Sequence, residues 1–267
     1  MGAVNFSLEP KLVEQLKQVL PLSVFVETGT FEGEAVNNVI CLFEEIHTIE
    51  LSEEYYLKAS RRFQGQSLVK VYHNRSERLL QTLCPLVKDK SVLYWLDAHW
   101  CVADSTAGYH SQCPLLQELN AIQALNAQSI ILIDDARLFL CPPPKPHEIS
   151  QWPDFNAVIK KLFSLSSVHQ IMVVNDVIIY YPASINSALK TYAHENSIDL
   201  LSVLDKSREY DGILLQLKEK EKQIKMLAAA TEEKEKQIKM LAATTEERLR
   251  LIEKLDEELK NIHRQSN

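Results

Sequence analysis

The chain has 267 residues, of which 46% are hydrophobic and 24% charged, and its formal net charge is −7. This composition is typical of a globular protein and predicts one sizeable domain plus an appendage. Residues 205–267 contain as many basic as acidic side chains, so the acidic excess falls in residues 1–204. An acidic globular part argues against nucleic acid or an anionic membrane as a partner.

The cysteine pattern and the N-terminus bear on the cellular compartment. The 5 cysteines form no close CxxC pair, which favours a reducing, cytoplasmic setting. The N-terminus lacks the basic region and apolar core of a signal peptide. No apolar run approaches the length of a membrane span. We therefore expect a soluble cytoplasmic protein.

Strand-like and helix-like segments alternate along the chain. An apolar helix-period face predicts a first helix over residues 8–20. Strands are predicted over 23–26, 46–49, 69–72, 92–96 and 130–133, with helices over 34–42, 53–63, 76–83, 113–125 and 154–163. Asn175-Asp176 separates the runs 169–174 and 177–181, which is typical of a two-residue hairpin turn. This order predicts an α/β fold over residues 1–204, with a doubly wound, mostly parallel seven-stranded sheet that ends in an antiparallel hairpin.

The remaining segment, residues 205–264, has a different pattern. The ten-residue string KEKQIKMLAA occurs at 220–229 and again at 234–243, a spacing of two heptads. The resulting a positions are Leu217, Ile224, Thr231, Ile238, Thr245, Ile252 and Leu259, and the d positions are Ile213, Lys220, Leu227, Lys234, Leu241, Arg248, Leu255 and Ile262. This pattern predicts a coiled-coil helix, with alternate layers weakened by polar residues, through which copies of the chain associate. A solitary helix laced with charges is the alternative.

Two of the apolar strands end in acidic residues. The run SVLYWLDAHW places Asp97 directly after one strand, and SIILIDDARLF places Asp134 and Asp135 after another. Ligands bind at the carboxyl ends of strands in open α/β sheets. Three carboxylates that converge there are stabilised by a divalent cation. A capping role for Asp97 and a surface ion pair between Asp135 and Arg137 are the alternative.

A glycine-containing turn follows the first predicted strand. In Glu27-Thr28-Gly29-Thr30-Phe31-Glu32-Gly33, two of the 6 glycines stand where a strand turns into a helix. Glycine permits a tight turn and a close approach of backbone to a ligand. About 20 residues on, Glu50 ends the next strand, where an acid can accept hydrogen bonds from both hydroxyls of a ribose. The third strand is followed by His73-Asn74-Arg75-Ser76, which suits the edge of an adenine.

With these motifs, residues 20–182 resemble a class I S-adenosylmethionine-dependent methyltransferase. The resemblance rests on VETGTFEGEAV, on IEL and on the acid-ended fourth strand. It implies that the glycine turn surrounds the methionine part of S-adenosylmethionine and that the acid after the second strand holds the ribose. The residues that this implies for cofactor binding are Glu27, Thr28, Gly29, Gly33, Glu50, Ser76 and Asp97.

The acidic motifs narrow the resemblance further. LDAHW followed by IDDA is similar to the magnesium-dependent O-methyltransferases of the catechol and macrolide-sugar groups. That similarity implies Mg²⁺ ligands at Asp97, Asp134 and Asp135 and a catalytic contribution from Asp97. Bound Mg²⁺ lowers the pKa of an acceptor hydroxyl and orients it. The catechol group has a lysine close after its acid, and this chain has none there, so His99 is the candidate general base, with a purely structural histidine as the alternative.

Several other interpretations stay open at this stage. His99, Cys101, His110 and Cys113 also form a set that a zinc ion could use, although the spacing matches no zinc-finger pattern. Residues 136–153, with consecutive prolines, either shape the acceptor pocket or form a stiff surface crossing. We expect an O-methyltransferase acting on a hydroxylated small molecule, sugar or glycan. A methyltransferase-fold scaffold organised by its coiled coil, and a metal-dependent hydroxylase or hydrolase, are the alternatives.

Overall fold

The computed structural model describes residues 7–100 and 111–265, and its centre is one sheet in the order β3-β2-β1-β4-β5-β7-β6. Strands β1 to β5 pair in parallel, and β7 pairs antiparallel with both β5 and β6. The strands are β1 (Val24–Thr28), β2 (Glu45–Glu50), β3 (Val69–His73), β4 (Val92–Leu96), β5 (Ile130–Ile133), β6 (His169–Val174) and β7 (Val177–Pro182). The predicted doubly wound sheet with an antiparallel final hairpin is confirmed.

Helices occupy both faces of this sheet, as a parallel sheet requires. They are α1 (Pro10–Val19), α2 (Glu34–Val39), α3 (Glu53–Arg62), α4 (Ser76–Val87), α5 (Leu115–Ile122), α6 (Arg137–Leu140), α7 (Phe155–Leu165), α8 (Asn186–Asn196) and α9 (Leu200–Gln265). Helices α4, α5 and α7 contribute to one hydrophobic core and α1, α2 and α8 to the other. Every residue of β1, β4 and β5 is buried, which explains why their sequences are apolar runs rather than alternating patterns.

The hairpin between β6 and β7 turns at the predicted residues. Asn175 and Asp176 both have positive φ angles, 48° and 71°, as a type I′ turn requires. The backbone carbonyl of Asp176 accepts a hydrogen bond of 2.7 Å from the amide of Ala136. The turn is thereby attached to the segment that follows β5.

Some helices differ from the sequence prediction. Helix α5 is shorter than the predicted 113–125, because Pro114 precedes its first turn and Gln123, with φ 57°, ends it. Helix α6 has 4 residues, too few to show a helical period. Helix α8 was missed because only Leu189 and Tyr192 of its residues are buried, which leaves a weak apolar face in the sequence.

The chain divides into two compact units, Met1–Ile198 and Asp199–Asn267. The second unit consists mainly of α9, a single helix of 66 residues. At the predicted seam, the side chains of Ile224, Leu227, Ile238 and Leu241 are each more than half exposed. No helix in the described ranges is long and apolar enough to cross a membrane.

Candidate active site

The residues predicted from the sequence come together at the carboxyl ends of four neighbouring strands. Backbone hydrogen bonds connect these ends in sequence across the sheet: Gly29 N to Ile49 O (2.9 Å), Asp97 N to Thr28 O (3.1 Å) and Asp134 N to Leu96 O (3.2 Å). The edge lies at the switch between β1 and β4, where the strand order reverses, and ligands of open α/β sheets bind at such a switch point.

The two glycines of the turn are required by contacts within the chain. A Cβ at Gly29, where φ is 81°, would lie 2.2 Å from the carbonyl oxygen of Asp97. A Cβ at Gly33, where φ is 78°, would lie 2.7 Å from the ring of Phe63. A side chain at either position would therefore clash within the chain itself, whether or not a ligand is bound. The missing Cβ of Gly29 lets the turn approach Asp97, the residue after β4.

Glu50 holds the same turn from the other side. Its side chain is buried at the end of β2, where Oε2 accepts the amide of Phe31 (2.8 Å) and Oε1 accepts the amide of Ser52 (2.7 Å). Phe31 adopts a φ of 48°, a conformation that non-glycine residues rarely adopt. Each carboxylate oxygen can accept a second hydrogen bond, so Glu50 both orders the turn and keeps acceptor capacity for a diol.

Glu27 lies beneath the turn and makes only internal contacts among the described residues. It is 1% exposed and accepts a short hydrogen bond from Thr48 Oγ1, which in turn lies 2.5 Å from Thr30 Oγ1. Burial raises the pKa of Glu27 to about 8, against a smaller lowering by Thr48. Its position favours support of the turn over direct contact with a cofactor.

A second buried acid, Glu118 of α5, was missed by the sequence analysis. It is 1% exposed, its Oε1 has no hydrogen-bond partner among the described residues, and its carboxyl group lies near the hydroxyls of Ser76 and Thr28, two residues predicted to bind cofactor. Burial raises its pKa to about 7, and these hydroxyls oppose the shift. The available signal was that Glu118 falls on the otherwise apolar face formed with Leu115, Leu119 and Ile122.

His99 is the centre of the acidic cluster. Its Nε2 lies 2.8 Å from Asp135 Oδ2 and 3.7 Å from Asp97 Oδ1. Its ring meets those of Phe139 and Trp152 edge-on, at centroid distances of 6.1 and 5.5 Å. The histidine is thereby fixed between carboxylates on one side and aromatic rings on the other.

The pKa values of the two acids after β5 are shifted in opposite directions. Burial alone would raise the pKa of Asp135, but the hydrogen bond from His99 and the charge of Arg137 lower it to about 2. Asp134 is 5% exposed, and its Oδ1 accepts the amide of Asp135 at 2.8 Å. Burial and the neighbouring Asp135 raise the pKa of Asp134 to about 7.

This arrangement does not fit Mg²⁺ as the sequence pattern predicts it. Among residues 7–100 and 111–265, no group of three or more His, Cys, Asp and Glu side chains is placed to hold a metal ion. Both oxygens of Asp135 are engaged, one by His99 and the other by Arg137 at 2.6 Å.

Of the four residues that the sequence offers as zinc ligands, Cys101 and His110 lie outside the described residues. Cys113 is buried, and burial raises the pKa of its thiol to about 12. Zinc binds the thiolate rather than the thiol, so the surroundings of Cys113 do not favour a metal site.

The rings of His147 and Trp152 form an aromatic wall beside His99. Trp152 packs against His147 at 5.2 Å, and His147 against Trp100 at 5.3 Å, between ring centroids. Gln112 fastens this segment, because its Oε1 accepts both the amide of Glu148 (2.9 Å) and the indole N–H of Trp152 (3.0 Å). These rings lie beside His99, the candidate base.

No protein-family model and no curated protein matches the chain. A Streptococcus mutans protein named as a methyltransferase and solved with SAH shares 12% identity, with a TM-score of 0.45 over 64% of this chain and 95% of that one. A Staphylococcus aureus protein named as a caffeoyl-CoA O-methyltransferase shares 13%, with a TM-score of 0.42 over 64% and 80%. An rRNA methylase of Streptococcus thermophilus shares 14%, with a TM-score of 0.40 over 64% and 94%.

These likenesses concern the fold alone. The sheet of this chain has seven strands, mostly parallel, with antiparallel last strands. A fold hosts many activities, so function has to be argued from the residues of this chain.

Replacing Gly29 with alanine should destabilise the protein far more than the same change at Gly65. Both glycines have positive φ, but a Cβ at Gly65 would meet no atom within 4 Å. We expect Gly65→Ala to cost about 1 kcal/mol of backbone strain and Gly29→Ala about 3 kcal/mol or more, because the backbone at Asp97 must shift. Urea unfolding of the two variants measures the difference, and equal losses would contradict the close approach of the turn to β4.

Glu27 should make the protein less stable as the pH rises. The unfolded glutamate loses its proton near pH 4.5, whereas the folded one keeps it to about pH 8. The free energy of unfolding should therefore fall between pH 5 and 8, by on the order of 3 kcal/mol from this group. Glu27→Gln should remove that part of the decline, while the exposed control Glu53→Gln should keep the wild-type slope. Identical slopes for all three proteins would exclude a proton held on Glu27.

Proposed function

We propose that this chain is an S-adenosylmethionine-dependent O-methyltransferase. The observation that carries the proposal is the position of Glu50. Its carboxylate stands at the end of β2, orders the glycine turn through the Phe31 amide, and retains acceptor sites for the two hydroxyls of a ribose. S-adenosylmethionine supplies an electrophilic methyl group on a sulfonium. Glu50, the turn and Ser76 at the start of α4 would hold its nucleoside.

His99 would act on the acceptor. An ionised Asp135 can only accept a hydrogen bond, so Nε2 of His99 carries the proton in that pair and Nδ1 keeps its lone pair. Nδ1 would take the proton of an acceptor hydroxyl while the oxygen attacks the methyl carbon in line with its bond to the sulfonium sulfur. That bond would break and S-adenosylhomocysteine would leave. The imidazolium that results is stabilised by Asp135 and Asp97, the arrangement by which a carboxylate orients a histidine base. Positioning of the two reactants would supply most of the rate.

The acceptor we propose is a hydroxylated small molecule, sugar or glycan. Asp97, whose side chain is one third exposed, offers an acceptor for further hydroxyls. The rings of Trp100 and His147 would face the apolar side of such a molecule. A metal-dependent hydroxylase or hydrolase would require the same acids to be available to a cation, and Asp135 is engaged by His99 and Arg137.

The helical tail supports self-association as a second property. Helix α9 leaves Ile224, Leu227, Ile238 and Leu241 more than half exposed along the heptad seam. A single long helix in water gains little stability from its own charge pairs. We propose that copies of the chain associate through this seam, which would place several catalytic units in one assembly.

Loss of the Glu50 carboxylate should weaken nucleoside binding. We expect wild-type protein to bind S-adenosylhomocysteine in calorimetry and Glu50→Gln to bind at least about tenfold more weakly, since a tenfold change corresponds to ~1.4 kcal/mol. Glu45→Gln is the matched control, because Glu45 stands at the opposite end of the same strand, paired with Lys70 and Lys90. No binding by the wild type would refute the enzyme proposal, and equal affinity in all three proteins would refute the role of Glu50.

A charge placed on the seam of α9 should disrupt self-association. Ile238→Asp puts a carboxylate at an a position, whereas Met240→Asp puts it at a neighbouring c position of similar exposure. Light scattering should give a lower mass for Ile238→Asp than for wild type, with Met240→Asp unchanged. Monomeric wild-type protein would contradict the coiled-coil prediction.

A further inference from the structure

The acidic side chains after β5 already have a cationic partner within the chain, the guanidinium of Arg137. Arg137, the first residue of α6, places Nη1 2.6 Å from Asp135 Oδ1. The same nitrogen forms a short ion pair with Asp176 Oδ2 in the β6–β7 turn. One guanidinium therefore joins two carboxylates from separate parts of the fold.

Asp176 fixes Arg137 through the backbone as well as the side chain. Its Oδ1 accepts the amide of Arg137 at 2.7 Å, and its carbonyl accepts the amide of Ala136 at 2.7 Å. Asp176 is in a type I′ turn with φ 71°, so its position is set by the hairpin. The guanidinium is thus anchored by the sheet and not by a long flexible side chain alone.

With Arg137 in place, each carboxylate oxygen of Asp135 already accepts one hydrogen bond. Its Oδ2 bonds to His99 at 2.8 Å and its Oδ1 to Arg137. Mg²⁺ demands oxygen ligands at about 2.0–2.1 Å in near-octahedral geometry. To bind here it would have to share the oxygens of Asp135 with His99 and Arg137 and lie close to the guanidinium charge.

We propose that Arg137, anchored by Asp176, occupies the place that the sequence pattern assigns to a divalent cation. The site then works without a metal, and Asp135 serves to orient His99. Arg137 and Asp176 are positioning residues, since they act on the proposed base through Asp135. The exclusion of metal is independent of the proposed function, whereas the orientation of a base rests on it.

The test uses the full chain and Mn²⁺, which prefers the same oxygen ligands as Mg²⁺ and is visible by electron paramagnetic resonance. Wild type should take up no Mn²⁺ below about 1 mM, and Arg137→Gln should bind it at least about tenfold more tightly. The double variant Arg137→Gln/Asp135→Asn should lose that gain. Arg208→Gln, a change at an exposed arginine of α9 paired with Asp205, is the control and should behave as wild type.

Two results would overturn the proposal. One is a wild-type protein that binds one Mn²⁺ at micromolar concentration and loses it on Asp135→Asn. The other is an Arg137→Gln variant that binds Mn²⁺ no better than wild type.

S-adenosylhomocysteine binding, measured in parallel with excess EDTA, separates this proposal from the proposed function. The proposal expects wild type and Arg137→Gln to bind the nucleoside equally in EDTA, because Arg137 does not contact the glycine turn or Glu50. Absence of nucleoside binding would refute the methyltransferase while leaving the Mn²⁺ result interpretable. Nucleoside binding that disappears with EDTA would overturn the metal-free site.

Discussion

The whole candidate site depends on the parallel pairing of β1 with both of its neighbours. Thr28, the last residue of β1, is in register with Ile49 of β2 and Leu96 of β4. Because the three strands run in the same direction and end together, the glycine turn, Glu50 and Asp97 share one edge. A register shift of one residue would turn alternate side chains to the other face. Two fully apolar cores, one on each face, fix that register.

Burial then gives chemically similar acids different properties. Burial raises the pKa of Glu27 to about 8 and that of Glu118 to about 7, so both favour the neutral form and serve as internal supports. Asp135 has a lowered pKa of about 2 because His99 and Arg137 oppose the effect of its burial. Pairs of acids whose environments push their pKa values apart are typical of sites that divide structural and chemical roles. Asp134 and Asp135 are such a pair, although they are adjacent in the chain.

The sequence was sufficient for much of this edge. Apolar runs ended by Asp97 and Asp134 are long and regular enough to define β4 and β5, since burial on both faces leaves little ambiguity. The Asn175-Asp176 turn was equally readable because few residue pairs tolerate two positive φ angles. Helices α6 and α8 could not be predicted from the sequence. Helix α6 is too short to show a helical period, and helix α8 has a narrow apolar face.

No local sequence pattern could predict which side chains of the site contact one another. The sequence offered Asp135 with Arg137 as a surface ion pair, and separately Asp135 as a metal ligand. The structure adds Asp176, some 40 residues later, and His99 from the loop after β4. Gln112 and Glu118 are similar cases, because their roles come from contacts with Trp152 and with Ser76 that span long stretches of chain.

By itself the sequence determined the order of the strands and of most helices along the chain, the sheet edge where the candidate site lies, and the acids that stand there. Those properties follow from hydrophobic periodicity and from residues at strand ends, which are local. Only the tertiary structure decided what each acid does, because protonation and coordination depend on neighbours that the fold brings within 3 Å. Asp135 illustrates the difference. The sequence IDDA predicted its place after β5, but not its hydrogen bonds with His99 and Arg137.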